Sequence, residues 1–530
     1  MKLENVMFAT RQSSSVRRPL RQARRISGKP AFEMLEERQH FSVYTVNSTA
    51  DIATPASSPQ HTLVDAINQV NAGNDNVIDF NVPKTDPGYN ASTGMWTMKL
   101  TSQLPMLEQA VTIDGYSQPG HTNSPLIEIN GDNIPSSPAG VYGLIDNGGN
   151  TTIRGLSMDN FNTAISINDQ AGGDVIDGNT FGANLGNRGL GTAIDVEDAS
   201  HCTIGQLGQA NDIYFATAQG IYVHNSSYDS IAYNVIGGRN TGVGIVVTGI
   251  STSTTIADNQ ILENTIGVDL SVGAGYSTVT GNVVSNCTTT GIEVDGFDTT
   301  ISSNKVSGTG TSSASGGDGI LITGNNNTVT GNTFTFNEGY GVDLGSLNGI
   351  ASSYDTVQGN TISDNSYGGV SVSQGSIDDA ILSNSISCFG GVRGINLNNG
   401  GNNGQAAPVI TSAEGNTSLV SVVGTVHSLA DTTVRVELFA SPAGDTQQGQ
   451  TYLGAETVTT DILGNASFSD ALFGNYIGDV ITATATVTRV SFNPTTHLIT
   501  FGEETSEFSN SQTAGFLIPV TYPRIPLIDW

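Results

Sequence analysis

Asp269 and Glu293 occupy the same place in two successive copies of one short pattern, Gly267-Val268-Asp269-Leu270 and Gly291-Ile292-Glu293-Val294. If the pattern is a strand, its third residue points away from the apolar side, and residues at that place in adjacent copies stand ~4.8 Å apart. Two carboxylates that close either share a hard cation such as Ca²⁺ or push each other's proton affinities apart. Asp295 follows on the same face and Asp298 in the next turn. Asp269, Glu293 and Asp295 are therefore the candidate catalytic acids, and with Asp298 they are the candidate Ca²⁺ ligands. Such a pair is raw material for a polysaccharide lyase or a glycoside hydrolase. The competing reading is an exposed acidic stripe on a chain that is acidic throughout. A second group is Asp195, Glu197, Asp198 and His201. Tyr222 and His224, with Tyr228 and Tyr233 close in sequence, are the candidate ligand-binding residues, an aromatic platform for a sugar ring, set against ordinary surface packing.

A lyase also needs a base. The repeats supply only Arg154, Arg188, Arg239, Lys305 and Arg393, and of these Lys305 alone falls near Glu293 in the repeat register. Asp378-Asp379 is an acidic pair, but the Gly-His-Gly and Arg-Ile-Lys companions of a polygalacturonase-like hydrolase are absent from the sequence. No phosphate-loop, dinucleotide, zinc-protease or serine-hydrolase pattern appears. The residues leave enzyme and binding protein both open.

The elements that would position these side chains announce themselves by repetition. A small residue, then apolar, any, apolar, recurs ten times, from Ala164-Ile165-Ser166-Ile167 to Gly394-Ile395-Asn396-Leu397, at spacings of 22 to 29 residues. The third residues make one row: Asp195, Tyr222, Val246, Asp269, Glu293, Leu321, Asp343, Ser371, Asn396. Interleaved with them stand Asn179, Asn234, Asn259, Asn282, Asn304, Asn332, Asn360 and Asn384, and the copy around Gly205 has no such Asn. A unit of this size cannot bury its apolar side alone, so copies must stack through parallel strands. Asn at a fixed bend can hydrogen-bond from coil to coil, which makes these asparagines a structural ladder. The pattern predicts an all-β fold, a right-handed parallel β-helix over 42–403, followed by a small β-sandwich.

The flanking segments differ. Leu63, Ala66, Ile67 and Val70 fall at helical spacing, which predicts a capping helix near 61–72 over the open end of the coils. From Pro408 to about 512 longer alternating runs such as Val420-Ser421-Val422-Val423-Gly424-Thr425-Val426 predict the sandwich. Residues 513–530 are an apolar tail, and 1–41 a basic leader of export or disordered type with no long apolar run. Outside 1–40 the chain has 10 basic against 44 acidic residues, which argues against nucleic acid as a partner. No apolar run long enough to span a membrane is present. Cys202, Cys287 and Cys388 are too widely spaced to form a disulfide framework and read as single buried thiols.

Thr45-Val46-Asn47-Ser48-Thr49-Ala50-Asp51, Ile78-Asp79-Phe80-Asn81-Val82-Pro83, Val111-Thr112-Ile113-Asp114-Gly115 through Gly120, Asp177-Gly178-Asn179-Thr180-Phe181-Gly182 and Glu504-Thr505-Ser506-Glu507-Phe508-Ser509 together resemble bacterial right-handed parallel β-helix repeat surface proteins of the pectate-lyase-like superfamily that carry a C-terminal immunoglobulin-like sandwich. Phe32 to Ser42 resembles the export segment that opens many bacterial surface proteins. The resemblance implies a secreted or cell-surface bacterial protein with a binding or structural role, its partners polysaccharide or envelope components; it supplies no catalytic residues.

Overall fold

Runs such as Thr278-Val279-Thr280 and Ser385-Ile386-Ser387 are too short to bury anything but their middle residue, and β-branched residues favour the extended backbone that points it inward. A computed structural model shows how they assemble. It describes residues 42–517 apart from 123, 169, 185, 187, 239–241, 311–315, 348–349, 389–391 and 494–497; the basic leader and residues 518–530 lie outside the described residues.

Three long sheets run along the coils. Sheet 1 has 13 strands, from Val43–Val46 to Ala380–Leu382; sheet 2 has 13, from Tyr89–Asn90 to Ser385–Ser387; sheet 3 has 11, from Tyr142–Asp146 to Ile395–Leu397. Pairing is parallel and joins each strand to its equivalent one coil on, the antiparallel Tyr89–Asn90 with Met95–Lys99 excepted. The inward residues, Ile231, Ile256, Val279 and Ile301 on sheet 1 and Ile236, Ile261, Val284 and Val306 on sheet 2, are fully buried in one continuous apolar core. The recurring glycine of sheet 3 is required by space. A Cβ on Gly267 would lie 2.5 Å from the Gly291 carbonyl oxygen and 2.5 Å from Val284 Cγ1, so the strand can approach sheet 2 only without one.

Each of the three corners is built alike: a residue in the left-handed region, then an inward polar residue, then the next strand. At the corner between sheets 1 and 2 the second residue is the asparagine seen in sequence. Asn259, for example, donates its backbone N–H and its side-chain amide to Asn282 Oδ1 (2.9 and 3.0 Å) and its amide also to the Ile231 carbonyl (2.8 Å). The chain of bonds runs from Asn179 to Asn384, and it has no gap at Gly205. Asn211 fills the place, linked to Asn179 (3.2 Å) and Asn234 (3.0 Å); a longer loop delays it in sequence.

The other two corners carry ladders with mixed residues. Between sheets 3 and 1, Asn327 N donates to Asp355 Oδ1 (2.7 Å), Asp355 N to Asp379 Oδ1 (3.0 Å) and Asp379 N to Asn402 Oδ1 (3.0 Å). Between sheets 2 and 3, Thr309 N bonds Asn337 Oδ1 (3.1 Å) and the Asn337 amide bonds Asn365 Oδ1 (2.9 Å). Cys202 stands in the first of these rows, its N–H on Asp229 Oδ1 (2.8 Å), and Cys287 in the second, whereas Cys388 follows the last strand of sheet 2 directly; none is in a disulfide.

Both ends are closed. Helix α1, Leu63–Asn71, starts from Thr62 in a capping box with Asp65, and its buried Leu63, Ala66, Ile67 and Val70 join the core. At the far end Phe439 and Phe508 enter the same core, meeting edge to face at 5.3 Å. They come from the last hundred residues, which form a four-stranded and a five-stranded sheet around a separate apolar cluster that includes Val420, Val422, Val436, Leu438, Phe468 and Ile481. This part is sewn to the final coil: Glu437 accepts from Ser383 N (2.8 Å) and Oγ (3.0 Å), Thr505 Oγ1 accepts from Ile381 N (2.9 Å), and Arg393 pairs with Glu507.

Candidate functional site

In the later coils the strand acids gather on sheet 3, whereas the earlier coils carry them on the other sheets too, as at Asp114, Asp177, Glu128 and Asp212. In the strands from Ser230 to Ser387, sheets 1 and 2 carry Thr, Ser, Ala, Gln and other uncharged outward residues with Lys305, and no acid; Asp269, Glu293, Asp318 and Asp343 all stand on sheet 3. The register aligns them. Asp195 pairs with Tyr222, Tyr222 with Val246, Val246 with Asp269, Asp269 with Glu293, Glu293 with Leu321 and Leu321 with Asp343. Folding needs only the inward residues, so nothing in the coil demands this segregation.

Burial sets the chemistry of the row. Glu293 is pushed up to about 7, first by burial and then by the charges of Asp269 and Asp295. Asp269 is raised by burial, opposed by the Ser271 hydroxyl that donates to its Oδ1 at 2.9 Å. Asp318, at the head of its strand, is pushed up to about 7 by burial and by Asp343, although it accepts from Tyr340 N at 2.6 Å. Asp343 is raised by burial and its Oδ1 has no hydrogen-bond partner. Asp318 is a member the sequence did not offer, because it stands before the repeated glycine rather than two residues after it.

The other candidates separate. Asp295 lies near Glu293 and accepts the Thr323 hydroxyl. Asp298 does not join them: it is an exposed left-handed corner residue (φ 52°). The proposed set of four metal ligands is thereby corrected, and among the described residues no group of three or more His, Cys, Asp or Glu is arranged to hold a metal ion. Lys305 is corrected as well. It is an exposed residue of sheet 2, in register with Val283 and Thr333, and so faces away from Glu293. Arg154 is paired with Asp114 (2.6 Å), Arg188 donates to the Ile134 carbonyl (2.6 Å), and Arg393 is held by Glu507; Arg239 lies outside the described residues. Asp378 and Asp379 are split by their corner, the first left-handed at φ 61° and the second fully buried in a ladder.

Five coils before Asp343 the row turns aromatic. Tyr222 and His224 lie on the sheet face with rings 6.1 Å apart and within 4° of parallel, and His224 Nδ1 is 3.8 Å from Glu197 Oε1. Asp195 beneath Tyr222 is pushed up to about 6 by burial and Glu197, against the pull of His224, and its Oδ1 is unpartnered. Tyr228 and Tyr233 do not extend this platform. Both are left-handed corner residues, φ 62° and 61°, at different corners, and Tyr228 instead stacks on His201 at 5.1 Å. The face as a whole offers hydroxyl-binding acceptors and flat rings; among the described residues of its strands His224, beside Glu197, is a basic side chain, and no Lys or Arg stands in the strands of Asp269, Glu293, Asp318 and Asp343.

Two family models match the chain: the right-handed β-helix region over residues 266–418, and the periplasmic copper-binding protein NosD over 101–275. No curated protein is significantly similar to it in sequence. Among solved structures it is similar to a double mutant of the tailspike protein of E. coli bacteriophage HK620 in complex with a pentasaccharide (13% identity, 81% of this chain and 92% of that one, TM-score 0.43). It is similar also to the Dettilon tailspike protein (13%, 79% and 91%, TM-score 0.38) and to DFA-IIIase from Arthrobacter chlorophenolicus A6 (14%, 51% and 61%, TM-score 0.26).

Proposed function

From the premise that this chain is a right-handed parallel β-helix protein, we propose that it is exported and binds glycan at the cell surface without cleaving it. The division we infer is the coil of 42–403, a β-sandwich of 408–512 that closes and docks its end, and a leader and tail at 1–41 and 513–530. The observation that carries the binding reading is the confinement of strand acids to sheet 3 beyond Ser230, in register with Tyr222, with no Lys or Arg among the described residues of the sheet 3 strands that bear them. Half-buried carboxylates accept from sugar hydroxyls, and rings stack on sugar faces. The periplasmic location in the description of one matched family supports export; among the described residues no helix is long and apolar enough to cross a membrane.

A second reading has a specific support. Glu293, raised to about 7 by burial and by the charge of neighbouring Asp269, can hold a proton to donate, as the acid of a carboxyl pair does in a glycoside hydrolase. One experiment separates the two: a polysaccharide-binding and depolymerisation screen of the full chain, with Ca²⁺ and with chelator, beside Asp269→Ala/Glu293→Ala. Binding weakened in that variant without chain cleavage by either protein is the expected result. Cleavage by the wild type that the variant loses would overturn the binding reading in favour of catalysis.

A further inference from the structure

The corner between sheets 3 and 1 is an exposed apolar ridge. Its left-handed residues in successive coils are His201, Tyr228, Ser253 and Tyr276, at φ 64°, 62°, 59° and 54°. Backbone bonds from Tyr228 N to the Thr252 carbonyl, Ser253 N to Gly275 and Tyr276 N to Phe297 fix that order. Tyr228 is 60% and Tyr276 59% exposed; Ile250 (80%) and Val272 (71%), from the turns between them, add to the ridge. His201 and Tyr228 stack at 5.1 Å, and Tyr276 meets Phe297 edge to face at 5.3 Å.

Folding does not ask for these residues. The left-handed region disfavours bulky side chains and prefers Gly, Asn or Asp, and open exposure of two tyrosines with Ile250 and Val272 forgoes burial. Tyr228 and Tyr276 stand two coils apart, about 10 Å along the axis, the span of a disaccharide in an extended glycan. A chain of net charge −29 repels an anionic polymer, and the aromatic pairs offer flat apolar faces with polar rims rather than a charged groove.

We propose that this ridge is the stacking track for an uncharged polysaccharide lying parallel to the coil axis, one sugar on His201–Tyr228 and another on Tyr276–Phe297. The proposal rests on the glycan-binding reading above and names the surface and the ligand class. Tyr228→Asn/Tyr276→Asn tests it, because Asn suits the left-handed backbone and the fold is kept. Tyr233→Asn, the same exchange at another left-handed corner (φ 61°), is the control. The full chain is titrated with hydroxyethyl cellulose, galactomannan and polygalacturonate, with thermal unfolding of each variant alongside. The expected result is binding of an uncharged probe that falls about tenfold or more in the double variant and is unchanged in the control, with no loss of thermal stability. Equal binding by wild type and double variant overturns the ridge and leaves the glycan reading standing. Binding of polygalacturonate alone overturns the ligand class, and binding of no probe removes both readings.

Discussion

Two buried aspartates in the mixed ladder between sheets 3 and 1 make the protein lose stability as pH rises through neutrality. Asp355 and Asp379, 1% and 0% exposed, lie between Asn327 and Asn402, and each spends Oδ1 on the backbone N–H of the preceding coil while Oδ2 finds no partner. Burial pushes Asp355 up to about 8, and burial with the charge of Asp355 raises Asp379 well above the carboxylate range. The neighbouring groups, Asp378 and Glu504 with its partner Arg489, add no free cation. A carboxyl that holds its proton more tightly in the fold than in the unfolded chain stabilises fully below its unfolded value near 4. That stability is lost as pH rises toward the folded value, about 1.4 kcal/mol per pH unit. Between pH 5 and 7 the loss at Asp355 alone is about 3 kcal/mol. Asn has the same shape, carries no proton to lose, and brings an amide donor like that of Asn402, which reaches the Asp379 carbonyl at 2.8 Å. Urea unfolding of wild type and Asp355→Asn/Asp379→Asn at about pH 3.5, 7 and 9 should show near-equal stability at the lowest pH and a variant more stable by several kcal/mol at pH 7 and above. A variant whose stability runs parallel to wild type across this range, or lies below it throughout, refutes the account.

Asn282→Ala removes the acceptor of Asn259 N (2.9 Å) and the donor to the Ile256 carbonyl (2.9 Å) in a fully buried corner; a loss of about 2–4 kcal/mol in the same unfolding assay is expected from two orphaned groups. Gly267→Ala forces a methyl to within 2.5 Å of the Gly291 oxygen, and should cost about 3 kcal/mol or more, against nearly nothing for Gly331→Asn, a left-handed corner (φ 64°) with open space around it. Carboxyl titration by NMR should find Glu293 with a midpoint near 7, moving down in Asp269→Asn because one of its two raising charges is gone. Cys287 and Cys388, both pushed up to about 12 by burial, should resist a thiol reagent at pH 8 in the native protein and react on unfolding.

The coil was legible because its core demands the same thing at the same place in every turn. Val279 and Ile301 are interchangeable to the core, and Gly267 and Gly291 are each irreplaceable for the same contact, so the period shows in the letters. The asparagine ladder was legible for one corner only. Between sheets 3 and 1 the backbone N–H is served equally by Asp229, Asn327, Asp355 or Asn402, and between sheets 2 and 3 Thr309 or the thiol of Cys287 can occupy the row beside Asn337; a role that several residue types fill leaves no repeated letter. Asn211 escaped because Gly205 to Ala210 intervene after Ile204, where three residues is the usual distance, as from Ile231 to Asn234. The aromatic corner could not be read because tyrosine carries no turn signal, and Phe508 plugs a coil it follows by more than a hundred residues.

The corners and the faces of this coil answer to different constraints, and that difference locates function. A corner residue one place before a ladder must take φ near +60°, so most are Asn, Asp, Ser or Gly; a Tyr there is retained against the backbone's preference. An outward strand residue is almost unconstrained, and the sheets drift to Thr and Ser; an acid half-buried there is retained against desolvation. On sheets 1 and 2 beyond Ser230 that cost is avoided in every strand, whereas on sheet 3 it is accepted at Asp269, Glu293, Asp318 and Asp343. Bulky left-handed residues occur at other corners too, Tyr233 and Phe336 among them, but Tyr228 and Tyr276 stand on the corner where sheet 3 turns into sheet 1, beside the acid-bearing sheet. Independent structural costs that adjoin are what selection for a ligand would leave, and substitution of Tyr228 with Tyr276, or of the sheet 3 acids, should therefore raise stability while it lowers binding.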